Sequence, residues 1–318
     1  MFGFGKAYRL FRLWGVDVEI DAGWMVMFAL FVWMGSGFYA GGLFGKLAVG
    51  ILFASVFYLG LFLHEFSHTV VAKLRGIPVR RMRFALLGAA AFIEKQPRTP
   101  KEEFFIGVAG PLASFAVAFL FLITYVFIGP VRDIEVLSKL VGYLVVINVV
   151  LGAFNLLPAY PLDGGRCFAR AFLWSIWHDP KKSLRYACRL GEMFAWFFIL
   201  LGAVGLILMF VAPGYVYWNF LWMAVLGWFL LTAAKGSWRG YILSTLTARD
   251  VMRPIDQQSA ALYRKESKVV LTDTTLDKVV QVMHETDSTH CLVEDRNGKI
   301  IGRIDPLDIM ALVRKEEK

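Results

Sequence analysis

The sequence predicts a polytopic all-α membrane protein of about six transmembrane helices, followed by a small cytosolic α/β module. Of its 318 residues, 58% are hydrophobic, above the roughly 45–50% of soluble domains, and the mean hydropathy is +0.57. Six apolar segments are long enough to span a bilayer at about 20 residues per crossing. They are residues 21–41, 48–72, 104–128, 138–157, 190–211 and 216–235.

The orientation in the membrane follows from the positions of Lys and Arg, which are enriched in cytosolic loops. Residues 6–12, 73–101 and 166–189 are basic, whereas the alternate connections contain few cations. The amino terminus and everything after residue 235 should therefore be cytosolic, in a multi-pass protein of the cell membrane. The net charge of +9 is explained by basic residues that face anionic membrane lipids, and no nucleic-acid partner is expected.

Two shorter segments are expected at the membrane surface. Residues 1–20 place Lys6, Arg9 and Arg12 among aromatic and aliphatic residues, which indicates an amphipathic surface segment; an ordered loop packed on the protein is the alternative. Residues 80–95 are too short to span and suggest a membrane-associated strand or β-hairpin, whose backbone edge could pair with an extended peptide. An interfacial loop is the alternative there.

The second apolar segment contains His64-Glu65-Phe66-Ser67-His68, an HExxH motif. Residues four apart lie on one face of a helix, so both imidazoles can bind one metal ion. Glu65 is placed to accept a proton from a water activated by that metal. At 1.5 Å per residue, His68 and His64 would lie about 7 Å and about 13 Å inside the cytosolic end of the span.

Asp163 is the candidate third ligand, because a catalytic zinc site normally has three protein ligands and a water. It lies in NLLPAYPLDGGR, residues 155–166, where two prolines and two glycines cannot continue a helix. The break would let the chain turn this carboxylate back toward the histidines, on the same side of the membrane. The alternative is a simple turn, since Asp-Gly is a common turn sequence.

Asn155 begins the same run, at the end of the fourth apolar segment. Its amide could donate a hydrogen bond to the oxyanion that forms when water attacks a carbonyl. A helix-end cap or an interhelical hydrogen bond is the alternative, and the sequence leaves both open.

The composition changes after residue 235, which predicts a linker over 236–247 and a soluble module over 248–318. Apolar residues at helical spacing predict a helix over 274–285, and strands are expected at 289–294 and 299–304, joined by an Asn-Gly turn. A last helix is expected over 306–314. The three cysteines, at positions 167, 188 and 291, would all face the cytosol, so we expect free thiols.

Three sequence motifs in combination resemble one family. HEFSH (64–68), GPLAS (110–114) and NLLPAYPLDGGR (155–166) look like the motifs of the site-2 protease family, the zinc intramembrane metalloproteases that cut substrate helices inside the bilayer. The resemblance covers roughly residues 15–235 and implies a six-helix protease domain over 21–235.

The resemblance implies a role for each candidate residue. It implies that His64, His68 and Asp163 bind one Zn²⁺, that Glu65 is the catalytic base, and that Asn155 assists transition-state stabilisation. The implied substrates are transmembrane or membrane-associated proteins, cut in regulated intramembrane proteolysis, for example to release a signalling or transcription factor.

The tail is similar to a single CBS (cystathionine β-synthase-type) module, through DVMRP (250–254) and GRIDPLD (302–308). Such modules pair, which implies a homodimer, and many bind adenine nucleotides. Asp308 is at the position that typically contacts the ribose. Asp305 stands where the family usually has Ser or Thr, and its carboxylate would repel a phosphate. Six spans followed by one such module look like the branch that contains the bacterial sporulation sigma-factor-processing protease.

The favoured hypothesis is zinc-dependent peptide-bond hydrolysis at membrane depth, modulated by the tail. A membrane zincin with a glutamate third ligand is a second enzyme hypothesis, although no ExxxD-type helix follows. The non-enzyme alternative is a catalytically silent scaffold, or a transporter gated by its CBS module, since transporters also have broken helices and polar residues near the midplane. Stoichiometric zinc would separate these.

Overall fold

The computed structural model describes residues 7–85, 88–93, 97–128, 135–211, 218–256, 258, 263 and 267–317. The chain divides into two compact units, Met1–Leu231 and Thr232–Lys318. Long apolar helices and a four-stranded sheet form the first unit, and the second is a small α/β unit with its own sheet. The functional domains that the sequence assigns to these stretches stay predictions.

The first unit is mainly helical. Its α3 packs against α2, α4 and the π-helix, so it lies at the centre of this unit. In chain order the helices are α1 (Ala22–Ser36), α2 (Leu43–Leu74), α3 (Pro100–Ile128), α4 (Glu135–Asn155), a π-helix (Gly165–Ala171), α5 (Phe172–Trp177), α6 (Pro180–Val211) and α7 (Trp218–Thr245), which continues into the second unit.

Five helices in the described part of the chain are long and apolar enough to cross a membrane. They correspond to the second through sixth segments that hydropathy predicts. Their spans are Leu43–Leu74, Pro100–Phe127, Glu135–Asn155, Pro180–Met209 and Phe220–Thr245.

The first predicted span is the exception. Helix α1 has 15 residues, or about 22 Å at 1.5 Å per residue, which is less than the hydrocarbon thickness of about 30 Å. The segment predicted over 21–41 ends early because residues 35–42 include four glycines, and each disfavours helix by about 1 kcal/mol relative to Ala. Asp21 caps the start of α1 by accepting a hydrogen bond from the Trp24 amide.

The sheet of the first unit consists of β1 (Tyr8–Leu13), β2 (Val16–Ile20), β3 (Val79–Ala85) and β4 (Gly88–Ile93), in that order. Strands β1 and β2 are antiparallel, and their two-residue connection places Trp14 and Gly15 at positive φ, as a primed hairpin turn requires. Strand β2 runs parallel to β3. Val16, Val18 and Met82 are buried and belong to the hydrophobic core beside this sheet. The membrane-surface role expected for residues 1–20 stays a prediction.

The hairpin expected within residues 80–95 is present as the antiparallel pair β3–β4. Residues 86–87 and 94–95 of that segment lie outside the described residues. Strand β4 is at the edge of the sheet and packs against α2, the helix that contains the HExxH motif.

The second unit has the sheet order β5 (Arg253–Pro254), β8 (Ile300–Ile304), β7 (Cys291–Glu294) and β6 (Lys268–Leu271). Besides the end of α7, its helices within the described residues are α8 (Ala248–Val251), α9 (Leu276–Glu285) and α10 (Pro306–Glu317). The helical spacing in α9 places Leu276, Val279 and Met283 in the core, whereas Val280 is exposed. All three cysteines of the chain are buried free thiols.

Candidate metal centre

Helix α2 presents the two histidines of the HExxH motif on one face. Both side chains are buried, and their ring centroids are 5.1 Å apart. Glu65, half-buried, lies between them in sequence. The potential ligand atoms of His64, Glu65 and His68 all lie within 4.8 Å of one another, as spacing by one helical turn requires.

Asp163 reaches the histidines from the far side of the break after α4. Its Oδ2 is 3.1 Å from His64 Nε2 and 3.2 Å from His68 Nε2. The returning segment is tightly packed, because a Cβ atom at Gly164 would lie 2.2 Å from the carbonyl oxygen of Leu156. Glycine is therefore required beside the carboxylate, and the break directs Asp163 to the two imidazoles.

The Nδ1 atoms of both histidines form hydrogen bonds with residues of α3. His64 Nδ1 is 2.9 Å from the Ser114 hydroxyl, and His68 Nδ1 donates to the Ile106 carbonyl at 2.6 Å. A carbonyl oxygen only accepts, so the proton of a neutral His68 is on Nδ1 and the lone pair is on Nε2. These hydrogen bonds fix the orientation of both rings and the tautomer of His68, as such bonds do around metal-binding histidines.

Gly110 of α3 lies next to the Nε2 atoms of His64 and His68. A Cβ atom at this position would lie 2.2 Å from His68 Nε2 and 2.6 Å from His64 Nε2. A point close to both nitrogens is thus left open because Gly110 has no side chain.

These three residues fit a zinc ion. In a tetrahedral site with bonds of 2.0–2.1 Å, two ligand atoms are about 3.3 Å apart, close to the two nitrogen–oxygen distances found here. Buried His68 Nε2 has no hydrogen-bond partner among the described residues.

Comparison with known proteins agrees with this geometry. Residues 52–138 and 129–201 match the model of Peptidase family M50. Rip3 of Mycobacterium tuberculosis, named as a zinc metalloprotease, is 33% identical over 303 residues, covering 94% of this chain and 74% of that protein. Zinc metalloprotease MJ0392 of Methanocaldococcus jannaschii is 33% identical over 215 residues, covering 66% of this chain and 58% of that protein.

The chain belongs to peptidase family M50. Among solved structures, the site-2 protease from Methanocaldococcus jannaschii aligns with a TM-score of 0.51 and 25% identity, covering 73% of this chain and 95% of that one. The enzyme class predicted from the motifs, a zinc metalloprotease of the site-2 type, is confirmed, and the long apolar helices make it a multi-pass membrane protein. The substrate, the side that the termini face and the CBS identity of the tail stay predictions.

In this M50 peptidase, Asn155 is half-buried and its Nδ2 donates to the Leu151 carbonyl at 3.0 Å. That bond uses one of the two amide hydrogens. Asn148, two helical turns earlier on the same face of α4, faces α2, because a Cβ atom at Gly60 would lie 2.9 Å from its Oδ1. The shared face directs Asn155 toward α2, although the hydrogen bond described for it is within its own helix.

Three contributors to the site were not recognised from sequence reasoning. Ser114 and Gly110 were visible only as part of the GPLAS motif, to which no role was assigned. Glu103 was missed altogether. Its Oε1 is 3.1 Å from Arg166 Nε and 3.1 Å from Arg170 Nη1, and these partners are 63 and 67 residues away in the chain.

Asp308, the candidate nucleotide-binding residue of the tail, is occupied by partners within its own unit. Its Oδ1 accepts from Arg253 Nε at 2.6 Å, and its Oδ2 accepts from the Asp305 amide at 3.1 Å. Asp305 in turn pairs with Arg303 at 2.7 Å. A ribose hydroxyl would have to compete with these contacts.

Proposed function

We propose that this peptidase hydrolyses peptide bonds of transmembrane or membrane-associated proteins at membrane depth, with one zinc ion held by His64, His68 and Asp163. The observation that supports this most directly is the convergence of two Nε2 atoms and one carboxylate oxygen at 3.1 and 3.2 Å. Bound zinc would polarise the scissile carbonyl and lower the pKa of a water toward about 7.

Glu65 is the proposed general base. Its carboxylate is within 4.8 Å of the histidine nitrogens, so a water between them is within its reach. Glu65 accepts the proton of the attacking water and then passes it to the leaving amine. A single carboxylate can perform both transfers, because accepting the first proton turns it into the carboxylic acid that then donates this proton.

Asn155 is the proposed oxyanion donor. One hydrogen of its amide is bonded to the Leu151 carbonyl, and the other can point to a developing negative charge. Such a donor stabilises the tetrahedral transition state more than the ground-state carbonyl.

The substrate is proposed to bind as an extended strand. A helix has its carbonyls hydrogen-bonded and sterically covered, so it must unwind before hydrolysis. Strand β4 is an edge strand among the described strands and lies beside α2. The backbone groups on its outer edge could pair with an unwound peptide, giving affinity without requiring one sequence. Water is proposed to arrive from the cytosolic side, which is the shorter route.

The orientation is proposed from the basic loops, with the amino terminus and the tail in the cytosol and the cationic residues against anionic lipid headgroups. A membrane-impermeant thiol reagent, applied to sealed vesicles of either orientation, tests this on single-cysteine variants. Labelling of a tail cysteine only from the periplasmic or extracellular side would refute the assignment.

The tail is proposed to be a CBS-type module that pairs between two chains and shifts the sixth span. Leu307 and Met310 are three residues apart on α10 and exposed, so they offer an apolar face for pairing. An adenine nucleotide would have to displace Arg253 from Asp308, and ATP titration decides whether it does. The likeness to the sporulation branch rests on the order of spans and module.

Deletion of residues 248–318 should change the cleavage rate. An unchanged rate and an unchanged nucleotide response would exclude regulation by the tail.

Zinc analysis of purified protein tests the proposal. We expect about one zinc per chain in the wild type and little in Asp163→Ala or His68→Ala. His284→Ala is the matched control, because this histidine is exposed in the second unit. Wild-type protein without stoichiometric zinc would support the scaffold or transporter alternative.

Glu65→Gln separates metal binding from catalysis. This variant should retain zinc and lose about 10²- to 10⁴-fold in cleavage of a co-reconstituted model transmembrane substrate. Full activity would remove Glu65 from its role.

A further inference from the structure

Glu103 is a charged residue buried beside the metal centre. It lies in the first turn of α3 and has no exposed surface. Its Oε1 accepts from Arg166 and Arg170, each at 3.1 Å. Burial of an ion pair costs several kcal/mol per ion and is a poor route to stability, so this cluster calls for another explanation.

Both arginines belong to the segment that contains the proposed third ligand. Arg166 follows Asp163 by three residues, and Arg170 follows by seven. The two are one turn apart at the start and end of the π-helix, a wide helical form that is frequent at functional sites. Glu103 therefore holds the π-helix at two points, and the π-helix begins two residues after Asp163.

The same face of α3 contacts the rest of the site. Residues 103, 107, 110 and 114 have helical spacing. A Cβ atom at Gly107 would lie 3.1 Å from the Asp163 carbonyl oxygen, so α3 packs directly on the backbone of that residue. Gly110 is beneath the two Nε2 atoms, and Ser114 is bonded to His64. One helix face thus sets the positions of both the histidines and the aspartate.

We propose that Glu103 is a positioning residue for Asp163, acting through Arg166 and Arg170 to hold the carboxylate at its distance from the two histidines. This inference rests on the proposed zinc function. The histidines are on α2 and Asp163 is on another segment, so the distance between them depends on the element that contacts both. That element is α3, which contacts the histidines directly and the Asp163 segment partly through Glu103. Loss of the contacts weakens zinc binding even though no ligand is changed.

The test is zinc affinity, measured on the full-length protein by competition with a chelator. Glu103→Gln should bind zinc about 10- to 100-fold more weakly, the range for partners that orient metal ligands. Glu102→Gln is the matched control: it removes the same charge from the same turn of α3, but Glu102 is only half-buried and accepts a hydrogen bond from the Arg98 amide. Its zinc affinity should equal that of the wild type.

Arg166→Gln distinguishes positioning from simple electrostatics. Removal of a positive charge near the site would by itself strengthen the binding of a divalent cation, whereas loss of positioning weakens it. This variant keeps the Glu103–Arg170 pair, so it should fold even where Glu103→Gln does not. Thermal unfolding of the metal-free proteins measures folding apart from binding, and Arg166→Gln should unfold near the wild-type temperature.

Weaker zinc binding in Arg166→Gln, with metal-free stability near that of the wild type, supports the inference. Wild-type or tighter zinc binding in Arg166→Gln, or wild-type binding in a folded Glu103→Gln protein, would overturn it while the proposed function stands. Absence of zinc from the wild type itself would overturn the proposed function, and with it this role of Glu103.

Discussion

Substitution of Gly110 by alanine tests the position of the metal centre most directly. The added Cβ would lie 2.2 Å from His68 Nε2 and 2.6 Å from His64 Nε2, whereas ordinary van der Waals contact begins near 3.4 Å. Either the imidazoles or α3 must move by about 1 Å, and a displacement of that size in an active site can cost about 10²-fold in rate. The methyl group would also occupy the space that zinc needs at bonds of about 2.0–2.1 Å.

The effect on folding should be smaller than the effect on zinc. Overpacking costs about 1–3 kcal/mol, and the better helix propensity of alanine returns up to about 1 kcal/mol. We therefore expect Gly110→Ala to fold, to lose its zinc as measured by metal analysis, and to lose cleavage of a model transmembrane substrate. Gly236→Ala, where a Cβ meets nothing within 4 Å, is the matched control in another helix. Wild-type zinc content and activity in Gly110→Ala would refute the reasoning.

Three further predictions concern single contacts. Ser114→Ala removes the partner of His64 Nδ1, so zinc affinity measured by chelator competition should fall about 10-fold or more; unchanged affinity would show that the hydroxyl does not orient the ring. Asn155→Ala should keep zinc but lower kcat by about 10²- to 10³-fold, and an unchanged kcat would favour its alternative as a helix-end bond. Leu276→Ala, in the core of the second unit, should destabilise that unit by about 2–5 kcal/mol in hydrogen exchange, whereas exposed Leu307→Ala should not; equal effects would contradict the assigned core.

The long helices could be predicted from sequence because their signal is local. An apolar run of about 20 residues needs no tertiary information to be recognised, and five such runs form long helices. The first run failed because hydropathy does not register the helix-breaking effect of glycine, and α1 ends at Ser36 within a stretch rich in that residue. The strands β1 and β2 were not predicted. Strand β1 pairs only with β2 among the described strands, and β2 joins the sheet through β3, which lies some 60 residues further along the chain.

The site was predictable to the extent that spacing or topology encodes it. The two histidines share a helix face by their spacing alone, and Asp163 was predicted from a helix break on the side of the membrane that the basic loops assign to the motif. The Glu103 contacts had no such signal, since they join residues 63 and 67 apart with no periodic pattern. The hydrogen bonds of both Nδ1 atoms depend on how α3 packs against α2, and packing of this kind cannot be read from either helix by itself.

Charge balance explains how an apolar environment accepts this site. Glu65 and Asp163 are two carboxylates close to neutral imidazoles, and carboxylates without compensation are expensive to bury. A bound zinc ion would offset them with its two positive charges, so metal binding would lower the free-energy cost of burying the two carboxylates. The same reasoning separates the Glu103 cluster, whose carboxylate has its own guanidinium partners and needs no metal. On the proposed zinc function, the site would therefore combine a part that depends on zinc with a neighbouring part whose charges are paired without it.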